Sequence, residues 1–317
     1  MRSRSRPAKA VRPAVRAGAA ALVGAAIALP LVRKRLRVPG PVTLAVAAAG
    51  PLAVAVLSPR TRRRDVALFT MQMWAFTVVH EMPYDDPEAL RRRLYTGYPI
   101  KLDSLIGAGR LPGARLQNLL AGRRHTAALD RVLTITHWLW FFEPYAVLAW
   151  ILVRHPRDFP RAARQMAAVF DVGALGYWAL PTAPPWWSSE QGYTKEPLRR
   201  IMVEVGEPLW GRYWNPLYRA LGGNPWAAMP SLHFATSLQA AISLTASSRE
   251  EGAVAWAYAL TLGFGLVYLG EHYVTDLLAG AGLVGAVRRA DPVFAPAVGR
   301  ISAVVQRLER IAGGGPR

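Results

Sequence analysis

The sequence predicts an all-α protein, a polytopic integral membrane helix bundle of about eight spans, on three observations. Of 317 residues, 52% are hydrophobic and only 19% are charged. The charges are gathered into short arginine-rich runs between long neutral stretches and are not spread over amphipathic faces. Apolar stretches near ~20 residues, the length that crosses a hydrocarbon core, recur along the chain.

In chain order, the first element is a basic tail over 1–16 carrying Arg2, Arg4, Arg6, Lys9, Arg12 and Arg16. The net charge of +19 raises the possibility of nucleic acid. No nucleic-acid recognition fold accompanies that charge, so no such partner is expected. The tail runs directly into apolar 17–32, which reads as a cytoplasmic anchor against anionic lipid heads. This first apolar run ends in Arg33-Lys34-Arg35 without a small-residue cleavage site, and a second follows at 41–58. A retained signal anchor is therefore expected, with 17–65 forming a transmembrane hairpin.

A membrane domain is expected over 66–290, with spans at 66–82, 133–153, 163–181, 229–247, 253–271 and 273–288, and then a cytoplasmic tail over 291–317. Segment 83–132 mixes Leu102, Leu105, Ile106, Leu111, Leu116, Leu119 and Leu120 with Lys101, Arg110, Arg115, Arg123 and Arg124. That pattern suits short amphipathic helices in the headgroup layer. Segment 182–226 opens with Thr182-Ala183-Pro184-Pro185-Trp186-Trp187, whose prolines stop a helix and whose indoles suit an interface. The chain has no cysteine, which removes disulfides, thiolate nucleophiles and thiolate metal sites.

With the N-terminus inside, the short segments place 21 Lys and Arg on the cytoplasmic side and four, Arg33, Lys34, Arg35 and Arg37, outside. Long segments translocate with less regard to charge, so both termini are expected in the cytoplasm. The span beginning near Met229 then starts at the outer side, and the span ending near Gly270 returns there.

Those two ends carry the most informative residues. Met229-Pro230-Ser231-Leu232-His233 places a favoured N-cap, Ser231, before a helix over Leu232–Ser247, after a proline that keeps the incoming chain non-helical. Its free N–H groups and dipole favour a bound phosphate, and His233 lies in the first turn. Gly270-Glu271-His272-Tyr273-Val274-Thr275-Asp276 sets His272 and Asp276 four apart, on one face of a helix, where the carboxylate can accept from one ring nitrogen and leave the other nucleophilic. Gly280 continues that stripe and admits a neighbouring helix. Ionisable groups at a bilayer boundary point to function, although a His-Asp pair also serves as glue between helices. Glu143 is expected to pair with His137 or with an outer arginine.

Pro230-Ser231-Leu232-His233 and His272-Tyr273-x-x-Asp276-x-x-x-Gly280 resemble the second and third motifs of the type 2 phosphatidic acid phosphatase (PAP2) superfamily. Together with Ala183-Pro184-Pro185-Trp186, they are similar to its inositol phosphorylceramide synthase branch. The resemblance implies a PAP2-like catalytic domain with its core at about 163–288, and a phosphotransferase or phosphatase acting on lipid phosphate or phosphodiester headgroups. It implies that His272 attacks phosphorus to form a phosphohistidine, that Asp276 orients its ring and that His233 protonates the leaving oxygen. Water or a lipid hydroxyl then takes the phosphoryl group, with no metal and no cofactor. The narrower branch implies transfer of a phosphorylated polyol, such as an inositol phosphate.

The sequence also departs from the family. The superfamily's Ser-Arg pair before the third motif is replaced by Gly265-Leu266, and its Lys-x6-Arg-Pro string has no match. Ser231, Lys195, Arg199, Arg200 and Arg212 are the candidates by position to hold substrate phosphate.

Two other classes stay open on the residues alone. His233, His272 and Asp276 are a permissible two-His-one-carboxylate metal set, although no His-Glu-x-x-His string is present. A transporter or lipid-binding scaffold would retain the helices without the chemistry; its signature would be broken or polar helices at mid-membrane, whereas these histidines lie at one boundary.

Overall fold

The computed structural model describes residues 6–120, 126–214, 216 and 223–312. Arg2, Arg4, Arg123 and Arg124, singled out above, lie outside the described residues. Among those described, the architecture is all-helical, and the extended contacts are two isolated bridges, Tyr95 with Thr182 and Thr182 with Ala227. The chain divides into two compact units, 1–85 with 288–317, and 86–287.

In the first unit, α1 (Arg6–Leu36), α2 (Gly40–Leu57) and α3 (Arg62–Glu81) follow one another. The basic segment is helical from Arg6, as the start of α1. Gly50 permits the close approach of α1 and α2, because a Cβ there would lie 3.0 Å from both the Ala26 Cβ and the Met71 sulfur. Ala26, Val54 and Met71 are buried together, and the Trp74 indole N–H donates to the Ala26 carbonyl at 2.9 Å. α3 packs on α2 in this unit. Two helical stretches, Arg12–Leu36 and Gly40–Leu57, are long and apolar enough to cross a membrane.

The second unit holds α4 (Pro87–Arg92), α5 (Gly97–Ile106), α6 (Pro112–Leu120), α7 (Thr126–Leu139), α8 (Glu143–Arg154), α9 (Phe159–Ala179), α10 (Pro185–Glu190), α11 (Ile201–Trp210), α12 (Leu232–Ser247), α13 (Arg249–Tyr268) and the beginning of α14 (Val274–Ile311). The expected span 133–153 is not one helix. It breaks between α7 and α8, where the N–H groups of Trp140, Phe141 and Phe142 each turn back three residues to His137, Trp138 and Leu139. Pro144 has no N–H to return to the Trp140 carbonyl, and its ring disfavours helix through that point. At 16 residues, α12 measures about 24 Å, against ~30 Å of hydrocarbon. The expected tail over 291–317 is helical as far as Ile311, as the second part of α14.

α5 and α6 divide their faces unusually. Leu102, Leu105, Ile106 and Leu119 are exposed, while Asp103 and Gln117 point inward and are buried. Both inward polar groups hold main chain next to the histidine-bearing strings. Asp103 Oδ1 accepts from the Thr275 N–H at 2.9 Å. The Gln117 amide donates to the carbonyls of Arg199 at 2.9 Å and Tyr268 at 2.8 Å, while its oxygen accepts from the Arg199 N–H at 2.9 Å.

Candidate active site

The site forms where the start of α12 meets the turn before α14. Ser231 is the N-cap of α12, its hydroxyl accepting from the Phe234 N–H at 3.3 Å, which places His233 in the first turn. Its own N–H donates to the Asp276 carbonyl at 3.0 Å. A Cβ on Gly280 would lie 2.8 Å from the Ser231 carbonyl, so the absence of a side chain lets α14 come this near.

His272 and Asp276 do meet, but not as neighbours on a helix face. α14 begins at Val274, so His272 lies in the preceding turn and Asp276 in the first helical turn. Asp276 Oδ2 accepts from the Tyr273 N–H at 2.9 Å, the reach-back of a capping residue to the helix entrance. The same oxygen lies 3.2 Å from His272 Nδ1. Asp276 is fully buried, His272 is nearly so, and this one carboxylate both starts the helix and orients the ring.

From His272 the line continues. Its Nε2 lies 3.2 Å from His233 Nδ1, and His233 Nε2 lies 3.3 Å from Nε2 of a third imidazole, His137 at the end of α7. The Trp140 ring covers His233 at 4.1 Å between centroids. Asp276, His272, His233 and His137 are therefore strung in sequence, ring nitrogen facing ring nitrogen, and do not converge on a point. Among the described residues no group of three or more His, Asp or Glu has the geometry to hold a metal ion.

His137, His233, His272, Glu271 and Arg200 line a cavity of about 370 Å³ whose other walls include Trp138, Trp186, Trp210 and Trp214. Of the cations singled out by position, Arg200 alone reaches it. Its guanidinium bonds both Glu271 oxygens, at 2.9 and 3.2 Å, and stands 3.9 Å over the Trp186 ring. The backbone explains this placement. Gly270 adopts a left-handed φ of +81°, and a Cβ there would lie 2.6 Å from the Arg199 carbonyl. The Ile201 N–H bonds the Leu269 carbonyl at 3.3 Å, and Gln117 clamps Arg199 between them, so Arg200 is delivered beside Glu271.

The remaining candidates lie elsewhere. Arg199 is exposed and paired with Glu204; Arg212 is exposed, with its guanidinium bonded to the Tyr213 hydroxyl at 2.6 Å; Lys195 is exposed and does not line the cavity. Ser231 is fully buried, and its hydroxyl is engaged in capping. Glu143 does not meet His137; it accepts from the Ser237 hydroxyl at 3.1 Å, one turn further along α12 than His233. His137 and Glu271 stand in the sequence strings that drew attention to Glu143 and His272, but nothing in the spacing ties either to the site. Separations of 96 residues between His137 and His233 and 71 between Arg200 and Glu271 close only in three dimensions.

In comparison with known families, the model described as PAP2 superfamily matches residues 111–289. No curated protein and no solved structure matches the chain. The matched region contains the cavity, all three histidines and Asp276.

Proposed function

The chain belongs to the PAP2 superfamily, and on that premise we propose that it is a membrane enzyme transferring the phosphoryl group of a lipid phosphate or phosphodiester through His272. The observation that carries this reading is the line from Asp276 to His272 to His233, with both histidines lining the cavity. The Asp276 carboxylate holds the proton of His272 on Nδ1, so the lone pair is on Nε2, the nitrogen turned toward His233. In the first step His272 Nε2 bonds to phosphorus while the P–O bond to the leaving group breaks, and the leaving oxygen takes a proton from His233 Nδ1. In the second, His233 Nδ1 removes a proton from the acceptor hydroxyl as that oxygen displaces His272 from phosphorus. Arg200 supplies the cation for the phosphate oxygens, in place of the family's missing Ser-Arg and Lys-x6-Arg-Pro groups.

Water as acceptor makes the protein a phosphatase; a lipid or polyol hydroxyl makes it a transferase. The indole-lined walls of the cavity favour the transferase, since apolar surface holds water poorly and a substrate ring well. The motif similarity around Ala183–Trp186 and His272–Gly280 supports a phosphorylated polyol as the transferred group. We place the site at the outer face of a plasma membrane, both termini inside, on the distribution of positive charge in short segments. The membrane reading also draws on the two apolar helices of the first unit.

The test is purified protein incubated with 32P-labelled phosphatidic acid or phosphatidylinositol, with and without a diacylglycerol or ceramide acceptor. An acid-labile phosphoenzyme is expected, and it should be absent in His272→Ala. Turnover that persists in His272→Ala would end the covalent reading, and the labelled product identifies the acceptor.

A further inference from the structure

His137 is the one imidazole of the line that the reaction above does not use. It is 5% exposed, its Nε2 faces His233 Nε2 at 3.3 Å, and its Nδ1 is buried with no hydrogen-bond partner. We propose that His137 is a positioning residue that fixes the tautomer of His233, by offering an Nε2 lone pair to the proton on His233 Nε2. The inference rests on the proposed role of His233 and adds to it.

The argument follows the protons along the line. A neutral imidazole has one N–H and one lone pair. Asp276 accepts the His272 Nδ1 proton, so His272 Nε2 is an acceptor toward His233. His233 Nδ1 must then carry the proton when His233 acts as acid, and must be bare when it acts as base. Both states are available at Nδ1 only if the other proton stays on Nε2 throughout, and what faces that nitrogen is His137 Nε2. With the lone pair of His137 on Nε2, a cationic His233 donates in both directions, from Nδ1 to His272 and from Nε2 to His137, and each contact has one donor and one acceptor. With the His137 proton on Nε2 instead, His233 Nε2 is an acceptor. Its only proton is then the one it must give away, leaving an imidazolate. Balance therefore selects the first arrangement: His233 is cationic before the transfer and neutral with Nε2–H after it, and His137 keeps its own proton on Nδ1 in both. The surroundings suit this role, since the Trp140 ring covers His233 at 4.1 Å between centroids.

The variants to compare are His137→Phe, which keeps a ring without a lone pair, and His137→Gln, whose side-chain oxygen restores an acceptor. Each is assayed in detergent with phosphatidic acid, whose leaving group is an alkoxide, and with p-nitrophenyl phosphate, whose leaving group needs little protonation. His137→Phe is expected to lose at least about tenfold of kcat with phosphatidic acid and less than about threefold with p-nitrophenyl phosphate, and His137→Gln to recover most of the loss. Equal losses on both substrates, or no loss on either, would overturn the inference. Should His137→Phe not fold, 15N spectra of histidine-labelled wild type decide alone: a protonated His233 Nε2 is expected, and a bare one overturns the proposal. His272→Ala run in parallel separates the two claims, because activity surviving there removes the underlying mechanism, whereas its loss with an unselective His137→Phe removes only the role of His137.

Discussion

The N–H of Ser231 donates to the carbonyl of Asp276 at 3.0 Å, which joins the entrance of α12 to the first turn of α14 by main chain. His233 and His272 are thereby held in register before their side chains interact. The 3.2 Å between their ring nitrogens is set by backbone, as a constellation that must be kept within a fraction of an ångström requires.

Gly280 is where this register is most exposed to mutation. Gly280→Ala places a methyl group 2.8 Å from the Ser231 carbonyl, and backbone cannot give way as a side-chain end can. A loss of about 1–3 kcal/mol of stability is expected from thermal unfolding, with a fall in kcat at least as large as the unfolding accounts for. Wild-type melting and turnover in Gly280→Ala would show that the two helices are free to separate here.

Asp276→Asn keeps the shape and removes the charge. The amide can still accept from Tyr273, so α14 should still start where it does, but the preference for a proton on His272 Nδ1 is weakened. Turnover is expected to fall about 10³–10⁴-fold, the scale seen when a buried aspartate that orients a catalytic histidine becomes asparagine, with an unchanged far-UV circular dichroism spectrum. A loss under tenfold would mean that Asp276 serves the helix and not the ring.

Much of this was readable from the chain. Ser231 as cap, Leu232–Ser247 as helix and Gly280 as a close-approach point follow from local rules, and the structure has all three. Spacing was a poorer guide to His272 and Asp276. Four residues suggest a helix face, yet the helix starts between them, because Asp276 prefers to accept from the Tyr273 N–H at the helix entrance. Arg200 was one of several cations of equal standing, and only the Gln117 clamp and the turn at Gly270 single it out. The third histidine enters the sequence reading only as a partner for Glu143, while the ring it faces lies 96 residues away.

The Arg200–Glu271 pair should behave as a unit. Arg200→Ala leaves Glu271 with a nearly buried charge and no matching cation, and a destabilisation of about 3–5 kcal/mol is expected. Removing both charges should cost less than removing Arg200 alone, and a double-mutant cycle by chemical denaturation reads the difference. In the double variant KM for the lipid should still rise, since the phosphate has lost its cation. Additive effects of the two substitutions would show that the pair is not coupled.

The absence of cysteine makes the topology directly testable. Tyr193 and Arg249 are both exposed, and the proposed orientation sets them on opposite sides of the membrane. In intact cells a membrane-impermeant maleimide should label Tyr193→Cys and should reach Arg249→Cys only after permeabilisation. The reverse pattern would put the histidines on the cytoplasmic face.

Asp103 gives the fold a pH signature. Burial raises its carboxyl from 3.8 to about 6, partly offset by the bonds it accepts from the backbone of Thr275 and Val274. The sign follows from proton counts. Between pH 4 and 6 the folded protein holds a proton on Asp103 that the unfolded chain has released, so stability falls as pH rises through this window and levels off above it. For a shift of this size the contribution is on the order of 2–3 kcal/mol, at about 1.4 kcal/mol for each pH unit. Asp103→Asn removes the titrating group while keeping an oxygen for the Thr275 N–H, so it should flatten this part of the stability profile and raise stability at pH 7. Because Asp103 holds the backbone one residue before Asp276, the same variant should leave activity within about threefold of wild type; Asp103→Leu, which leaves the Thr275 N–H without an acceptor, should not. An Asp103→Asn profile that parallels wild type from pH 4 to 6 would assign the slope to another carboxylate.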